Sequence, residues 1–583
     1  MNSKKLISAT VIISLLLVSG CMDKMAMLPK ESSTGITVTY LRCEYKVNPL
    51  GIDVTEPRLS WIIESSQRAQ VQIAYRILVA DSKDILERDQ GNLWDSSKVE
   101  SDQSNQIVYK GKPLQSQIRC YWKVRVWDKD GKASSWSKPA FWTMGLLASG
   151  DWKAQWIGFN GELPASYKEF EEPEPLSLTG CKWVWFPEGQ PNRRLPNVTR
   201  YFRYKFELPS DRKIKLAQFR TVADNDAVLY INDQEVYKYS GWQRPYTFYV
   251  TENLRPGTNV FAISVTNRAE APSPAGLVGK LLVEFDSGEP MTIKIDSSWK
   301  TAQTAGAGWQ NVDYDDSNWV NAMETADCGD MPWGNMEDDT LELPPSPYFR
   351  KKFSVDNPIK RATVYVTALG LYELHINGER VGSDYFTPGW TDYNKRLYYY
   401  SYDVTDMISH GNNAVGAILA RGWYAGYIGS KRRKNFYGES PRLLVQLEIE
   451  FTNGDTKTIV TDGSWKACYG PIVETDILMG ETYDARKEIL GWDSGDFDDS
   501  QWDNVTVTGN YEGILGAYPG VTVQKMMELK PKKVTEPKKG VYVFDLGQNF
   551  AGWAQLKVSG KAGEKIALRF AEMLNPDGTI SNG

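Results

Sequence analysis

The sequence predicts an all-β chain of tandem β-sandwich modules, and three observations predict it. Short period-two strands are separated by turn residues along most of the length. A set of landmarks recurs in the same order in two adjacent stretches. Long helical periodicity is absent after the N-terminal apolar run. At 583 residues the chain is too long for one core, and about 150 residues per domain predicts roughly four.

Composition narrows the function classes. Charged residues make up 24% and hydrophobic ones 41%, which is ordinary for soluble globular domains. The net charge of −6 argues against nucleic acid or an anionic membrane surface as the main partner. Tryptophan occurs 21 times, whereas histidine occurs only as His375 and His410. Flat rings suit the apolar faces of sugars, although most indoles of a β-sandwich are expected in its core. Two distant histidines cannot readily build a histidine metal site or a Ser-His-Asp triad. His375 lies within Glu-Leu-His-Ile-Asn and reads as a packed strand residue.

Residues 1–20 read as a signal peptide. Lys4 and Lys5 precede the apolar run Leu6 to Val18, and Val18-Ser19-Gly20-Cys21 follows. The run is too short to span a bilayer comfortably. This ending resembles the lipobox of bacterial lipoproteins, which implies Cys21 as the lipid attachment point and an exported, envelope-anchored protein. Cys43, Cys120, Cys181, Cys328 and Cys468 are widely spaced and form no C-x-x-C pair, so they read as buried thiols with at most one or two disulfides.

Residues 36–147 form the first sandwich. Tyr121-Trp122-Lys123-Val124-Arg125-Val126-Trp127 alternates strictly, with Trp122, Val124 and Val126 on one face. The Asp128-Lys129-Asp130-Gly131 turn follows, and the whole looks like a fibronectin type III domain.

Residues 159–330 and 345–510 hold the duplication, each of a size that suits a two-sheet jelly roll. Tyr201-Phe202-Arg203 matches Tyr348-Phe349-Arg350, and Ile231-Asn232-Asp233 matches Ile376-Asn377-Gly378. Both copies have a Gly-x-Asn turn, at Gly257 and Gly411. Both have a Ser-Trp-Lys, at Ser298 and Ser464. Both close on Asp-Asp-Ser-x-Trp, ending at Trp319 and Trp502. After a Pro- and Lys-rich linker, Tyr542 to Asn549 opens another β-rich unit over 535–583. Ala554–Val558 and Lys565–Phe570 are predicted as further strands, too few to make a sandwich alone.

Several of these stretches together resemble the bacterial α-L-rhamnosidase family of glycoside hydrolases. They are Asn48-Pro49-Leu50-Gly51-Ile52-Asp53, Trp152-Lys153-Ala154-Gln155-Trp156, Ala420-Arg421-Gly422-Trp423-Tyr424, Gly480 to Arg486, and Phe544-Asp545-Leu546-Gly547-Gln548-Asn549. The resemblance implies a fibronectin-like domain, jelly-roll modules and the start of a concanavalin-like sandwich. Hydrolysis of terminal α-L-rhamnose, with inversion, is implied for the family, by paired carboxylates on a helical barrel. The family's Asp-Cys-Pro-x-Arg stretch does not occur in this sequence, so no catalytic residue is assigned, and the chain by itself is expected to be inactive.

The first jelly roll resembles a rhamnose-binding module in which calcium helps hold the sugar. On that resemblance Asp224, Asn225 and Asn267 are candidate calcium ligands, and the same residues with Trp242 are candidate sugar contacts. Calcium takes several oxygen donors, and a carboxylate, amides and loop carbonyls can supply them. A turn held by side-chain to backbone hydrogen bonds is the other reading of Asp224-Asn225. The second jelly roll has Ala368-Leu369-Gly370-Leu371 at the matching place and is expected to be structural. Two function classes remain: the front part of an α-L-rhamnosidase, and a complete non-catalytic lipoprotein that binds rhamnosylated glycans.

Overall fold

The computed structural model describes residues 35–163, 176–243, 245–268, 271–334, 343–429, 433–561, 563–564 and 566–581. Cys21 lies outside them. The architecture is all-β, in tandem sandwiches.

In the first sandwich Ile36–Cys43, Arg58–Ser65 and Ile107–Val108 form one sheet. The facing sheet is centred on Gln72–Ala80 and Arg119–Asp128, with Val79 opposite Trp122. Alternation sends Trp122, Val124 and Val126 inward, where they pack fully buried with Trp142 and Ile77. Of the 21 tryptophans only Trp390 and Trp553 are exposed, so most indoles are core filler. No disulfide joins the described cysteines, and burial pushes the Cys120 and Cys468 thiols up to about 12.

The duplicated landmarks become two sandwiches of one topology. In the first copy, one sheet runs Tyr246–Tyr249, Ile214–Asp224, Gly276–Phe285, Lys182–Trp185, Met323–Asp327. The second copy repeats this order with Arg396–Asp403, Ile359–Leu369, Arg442–Phe451, Ile157–Gly158 and Thr506–Val507. The opposite sheets agree equally, with Asp226–Ile231 beside Gly257–Asn267 beside Val198–Leu208 in one. In the other, Leu371–Ile376 lies beside Gly411–Ala420 beside Pro347–Val355.

Each recurring motif has one physical job. The second Asp of Asp-Asp-Ser-x-Trp pairs with the fully buried arginine of the Tyr-Phe-Arg strand: Asp316 with Arg203 at 2.8 Å, and Asp499 with Arg350. The first Asp accepts the Ser backbone N–H in both copies, at 3.0 Å. The Ser-Trp-Lys indoles donate to the carbonyls of Lys294 and Val460. Asn232 and Asp233 take positive φ, as do Asn377 and Gly378, which is the backbone a two-residue hairpin turn requires.

One strand is out of sequence order. Ile157–Gly158 precedes the first jelly roll in the chain, yet it joins the sheet of the second, pairing with Leu443 and with Thr506–Val507. The second sandwich is therefore discontinuous, drawing its strands from both sides of the first. The N-terminal sandwich also packs on the second copy. Leu146 donates its N–H to the Tyr399 hydroxyl at 3.0 Å, and Lys46 reaches the Tyr518 carbonyl at 2.9 Å.

Among the described residues beyond 524 the chain forms one ladder, Lys533–Lys538 with Val541–Asp545, and an isolated antiparallel bridge between Leu574 and Ile580. The predicted strand at Ala554–Val558 forms no ladder, and neither do residues 566–570. A strand exists only against a neighbour, and these segments have none among the described residues.

Candidate carbohydrate-binding site

The site lies at the corner where the first jelly roll passes from one sheet to the other. Asp224 ends its strand opposite Gly276, and Asp226 begins the next opposite Thr266 and Ser240. Asn225 fills the turn, and the Asp224–Asn225 peptide is cis. Its carbonyl accepts from the Gly241 N–H at 2.7 Å, its N–H donates to the Thr266 carbonyl at 3.0 Å, and its Oδ1 accepts from the Arg268 N–H at 2.7 Å. Asp226 accepts from the Ser240 hydroxyl at 2.6 Å and from the Arg268 guanidinium at 3.0 Å. The corner thus gathers the loop that carries Trp242 and the end of the Gly257–Asn267 strand.

Asp224 is 4% exposed, and its Oδ2 accepts from the Trp333 indole at 2.8 Å. Its other oxygen has no partner among the described residues. Burial outweighs the indole's donation and pushes the carboxyl up to about 6. Trp333 stacks on Trp183 with ring centroids 4.0 Å apart, and half-buried Trp242 packs on the same cluster. Among the described residues no cation pairs with this nearly buried carboxylate, and its partner Trp333 connects it to the cluster that holds the partly open Trp242 indole.

These residues fit calcium unevenly. Asp224 offers a spare anionic oxygen whose charged form a divalent cation would favour, and the Asn225 amide oxygen keeps a second lone pair. Asn267 is placed otherwise than expected. It is fully buried, its Oδ1 accepts from the Ser273 hydroxyl at 3.0 Å, and its Nδ2 faces the carbonyls of Leu195, Pro196 and Ser273 at 3.1–3.3 Å. Its amide pins the Pro272-Ser273-Pro274 loop, because a buried amide surrounded by turn carbonyls turns toward them. Among the described residues no cluster of three or more His, Cys, Asp or Glu could hold a metal.

Two residues that shape the site were missed from the sequence. Trp333 lies 109 positions from its partner Asp224, just past residue 330, where the module was expected to end. Arg268 pairs with Asp226 from a strand end that carried no motif. In the second copy the corner is Leu369-Gly370-Leu371, and Gly370 has φ +136°. A Cβ there would meet the Ala420 carbonyl oxygen at 2.4 Å, so this corner is closed by backbone and carries no acid.

Comparisons with known proteins agree with this arrangement. Residues 357–527 match the α-L-rhamnosidase N-terminal domain, 38–148 the Rha78A-like N-terminal immunoglobulin domain, and 535–583 the bacterial α-L-rhamnosidase concanavalin-like domain. An α-L-rhamnosidase of Streptomyces avermitilis is 42% identical over 557 residues, covering 94% of this chain and 52% of that protein. One of Formosa agariphila is 28% identical over 543 residues, covering 92% and 40%. The crystal structure of the Streptomyces avermitilis α-L-rhamnosidase complexed with L-rhamnose matches with a TM-score of 0.60, covering 94% of this chain and 52% of that one. The α-L-rhamnosidase from Dictyoglumus thermophilum matches at 26% identity with a TM-score of 0.55, over 93% and 42%. The chain spans about half the length of these relatives, or less. On its modules, their order and these matches, the chain belongs to the bacterial α-L-rhamnosidase family.

Proposed function

We propose that this chain is the front part of an enzyme that removes terminal α-L-rhamnose from glycans or glycosides. Its first jelly roll binds rhamnose through calcium at the Asp224 corner, and the other sandwiches serve as scaffold. The observation that carries the binding reading is the spare oxygen of nearly buried Asp224, whose indole partner Trp333 belongs to the cluster on which Trp242 packs. In that role the Asp224 carboxylate and the Asn225 amide hold the cation, which orients sugar hydroxyls when bound. The indole of Trp242 offers the apolar face, and Asn267 keeps the neighbouring loop in place. In this reading the inverting carboxylate pair lies on a helical barrel outside these 583 residues, and the chain alone is expected to release no rhamnose. Export and anchoring through Cys21 complete the reading, on the Val18-Ser19-Gly20-Cys21 motif.

Calorimetric titration of L-rhamnose into the chain, with calcium and again with chelator, tests the binding. Binding that disappears with chelator and in Asp224→Ala is expected; rhamnose binding indifferent to both, or none at all, overturns it. An aryl α-L-rhamnoside tests the rest, since rhamnose release by the chain alone would refute the assignment of catalysis elsewhere. The second reading, a surface lipoprotein that binds without cleaving, would gain if the encoding frame ends without a carboxylate-bearing barrel.

A further inference from the structure

The second jelly roll has a cavity of about 230 Å³ at the end of the fold that corresponds to the Asp224 corner. Phe159, Pro441 and Tyr469 form apolar walls, and Asn160, Arg421 and Thr475 contribute polar atoms. Arg421 occupies the place that Asn267 holds in the first copy. Each lies ten residues past the glycine that opens its strand, Gly257 or Gly411. Asn267 turns inward onto the carbonyls of Leu195, Pro196 and Ser273, whereas Arg421 lines an opening.

The guanidinium of Arg421 is anchored from one side only. Nη1 donates to the Glu439 carbonyl at 2.8 Å and more loosely to Asn435 Oδ1 at 3.3 Å and the Ala425 carbonyl at 3.5 Å. Nε and Nη2 have no hydrogen-bond partner, and no carboxylate pairs with the group, among the described residues. The fully buried Arg203 and Arg350 each have an aspartate. Burial pulls the Arg421 pKa down, and among the described residues it is the Tyr469 and Tyr427 hydroxyls that oppose it. The free Nε–Nη2 edge presents two parallel N–H donors, the geometry that takes a carboxylate side-on. Ring and proline walls suit the apolar face of a sugar. The volume is below the roughly 300 Å³ at which drug-sized pockets begin, so it suits one sugar unit.

We propose that this cavity binds a uronic acid residue of an acidic, rhamnose-containing glycan, with its carboxylate held side-on by Nε and Nη2 of Arg421. The proposal rests on the reading of the chain as a carbohydrate-handling protein, but it needs neither calcium nor the Asp224 corner. The recognised substrate would then be a polymer in which rhamnose and uronate units alternate or adjoin, engaged at two places by two copies of one fold.

The test is calorimetry on the whole chain with D-glucuronate and D-galacturonate, against D-glucose, D-galactose and acetate. We expect a uronate to bind, the neutral sugars and acetate to bind at least tenfold more weakly, and chelator to change nothing. Arg421→Lys keeps the charge and loses the double donor edge, so uronate affinity should fall at least tenfold with an unchanged near-ultraviolet dichroism spectrum. Thr475→Val, within the same cavity but outside the guanidinium contact, should weaken binding several-fold and guards against misfolding of the first variant. Absence of uronate binding, equal affinity for neutral sugars or acetate, or unchanged affinity in both variants overturns the proposal. Uronate binding without rhamnose binding would sink the calcium-site reading and leave this one standing. The opposite result would do the reverse.

Discussion

Replacing Asp224 by Asn should stabilise the first jelly roll at neutral pH, although it removes the group on which the proposed binding depends. Asn keeps an acceptor for the Trp333 indole and removes a charge that burial penalises. The carboxyl rises from its ordinary 3.8 to about 6 on folding. At about 1.4 kcal/mol per pH unit, the ionised form costs the folded state about 3 kcal/mol. The sign follows from the raised value. Below pH 3.8 the group is protonated folded and unfolded and costs nothing. The penalty grows as pH rises through 3.8 toward 6 and is constant above that. Asp224→Asn should therefore gain about 3 kcal/mol over the wild type at pH 7.5 in chelator, and under about 1 kcal/mol at pH 4. Calcium at a hundredfold excess over its dissociation constant should return about 2.7 kcal/mol to the wild type alone. Urea unfolding read by pulsed hydrogen exchange on peptides from 214–231 and 257–267 isolates this module from the others. A variant less stable at pH 7.5, or an advantage of the same size at pH 4, would refute the reasoning.

Three further outcomes follow from the second jelly roll. Asp499→Ala strands the fully buried Arg350 guanidinium, so exchange-detected stability of the Pro347–Val355 strand should drop by about 3–5 kcal/mol, and a loss under 1 would contradict the pairing. His375 lies between Asp493 at 2.8 Å and Glu373 at 3.0 Å; burial opposes its charge, but the two carboxylates together win and raise its pKa above 6.5. Its stabilising contribution is thus complete below pH 6.5 and lost as pH rises through the raised value. The imidazole NMR signal that vanishes in His375→Gln should titrate above 6.5, and a midpoint below it would disprove the bracket. Gly370→Ala puts a methyl against the Ala420 carbonyl at a φ that L residues rarely adopt, so melting of the second sandwich should fall by at least about 1 kcal/mol of stability; a neutral effect in thermal unfolding would show that the corner relaxes.

How much could be read in advance depended on whether a contact is local in the chain. The tandem sandwiches were legible because Asn232-Asp233 and Asn377-Gly378 turns, period-two strands and the repeated Ser-Trp-Lys are short-range signals. The Asp-Asp-Ser-x-Trp motif could be recognised as recurring but not explained, since its partners Arg203 and Arg350 stand more than a hundred positions away. The same holds for Trp333 at the candidate site. The orientation of the Asn267 amide was not legible, because residue type says nothing of which way an amide turns; that depends on the carbonyls of Leu195 and Pro196, brought in from another segment. The discontinuity of the second sandwich was invisible because Ile157–Gly158 is two residues long, too short to show any period.

That two-residue strand has a consequence for synthesis on the ribosome. Its partners Leu443 and Val507 emerge only after the whole inserted module has been made. At roughly 5–20 residues per second, the 188 residues between Gly158 and Pro347 alone impose a delay of roughly 10–40 s. The inserted sandwich can close its own sheets during that interval, and it then arrives as a finished body. The outer sandwich is then completed around a finished guest, with Ile157–Gly158 taking its place between Arg442–Phe451 and Thr506–Val507.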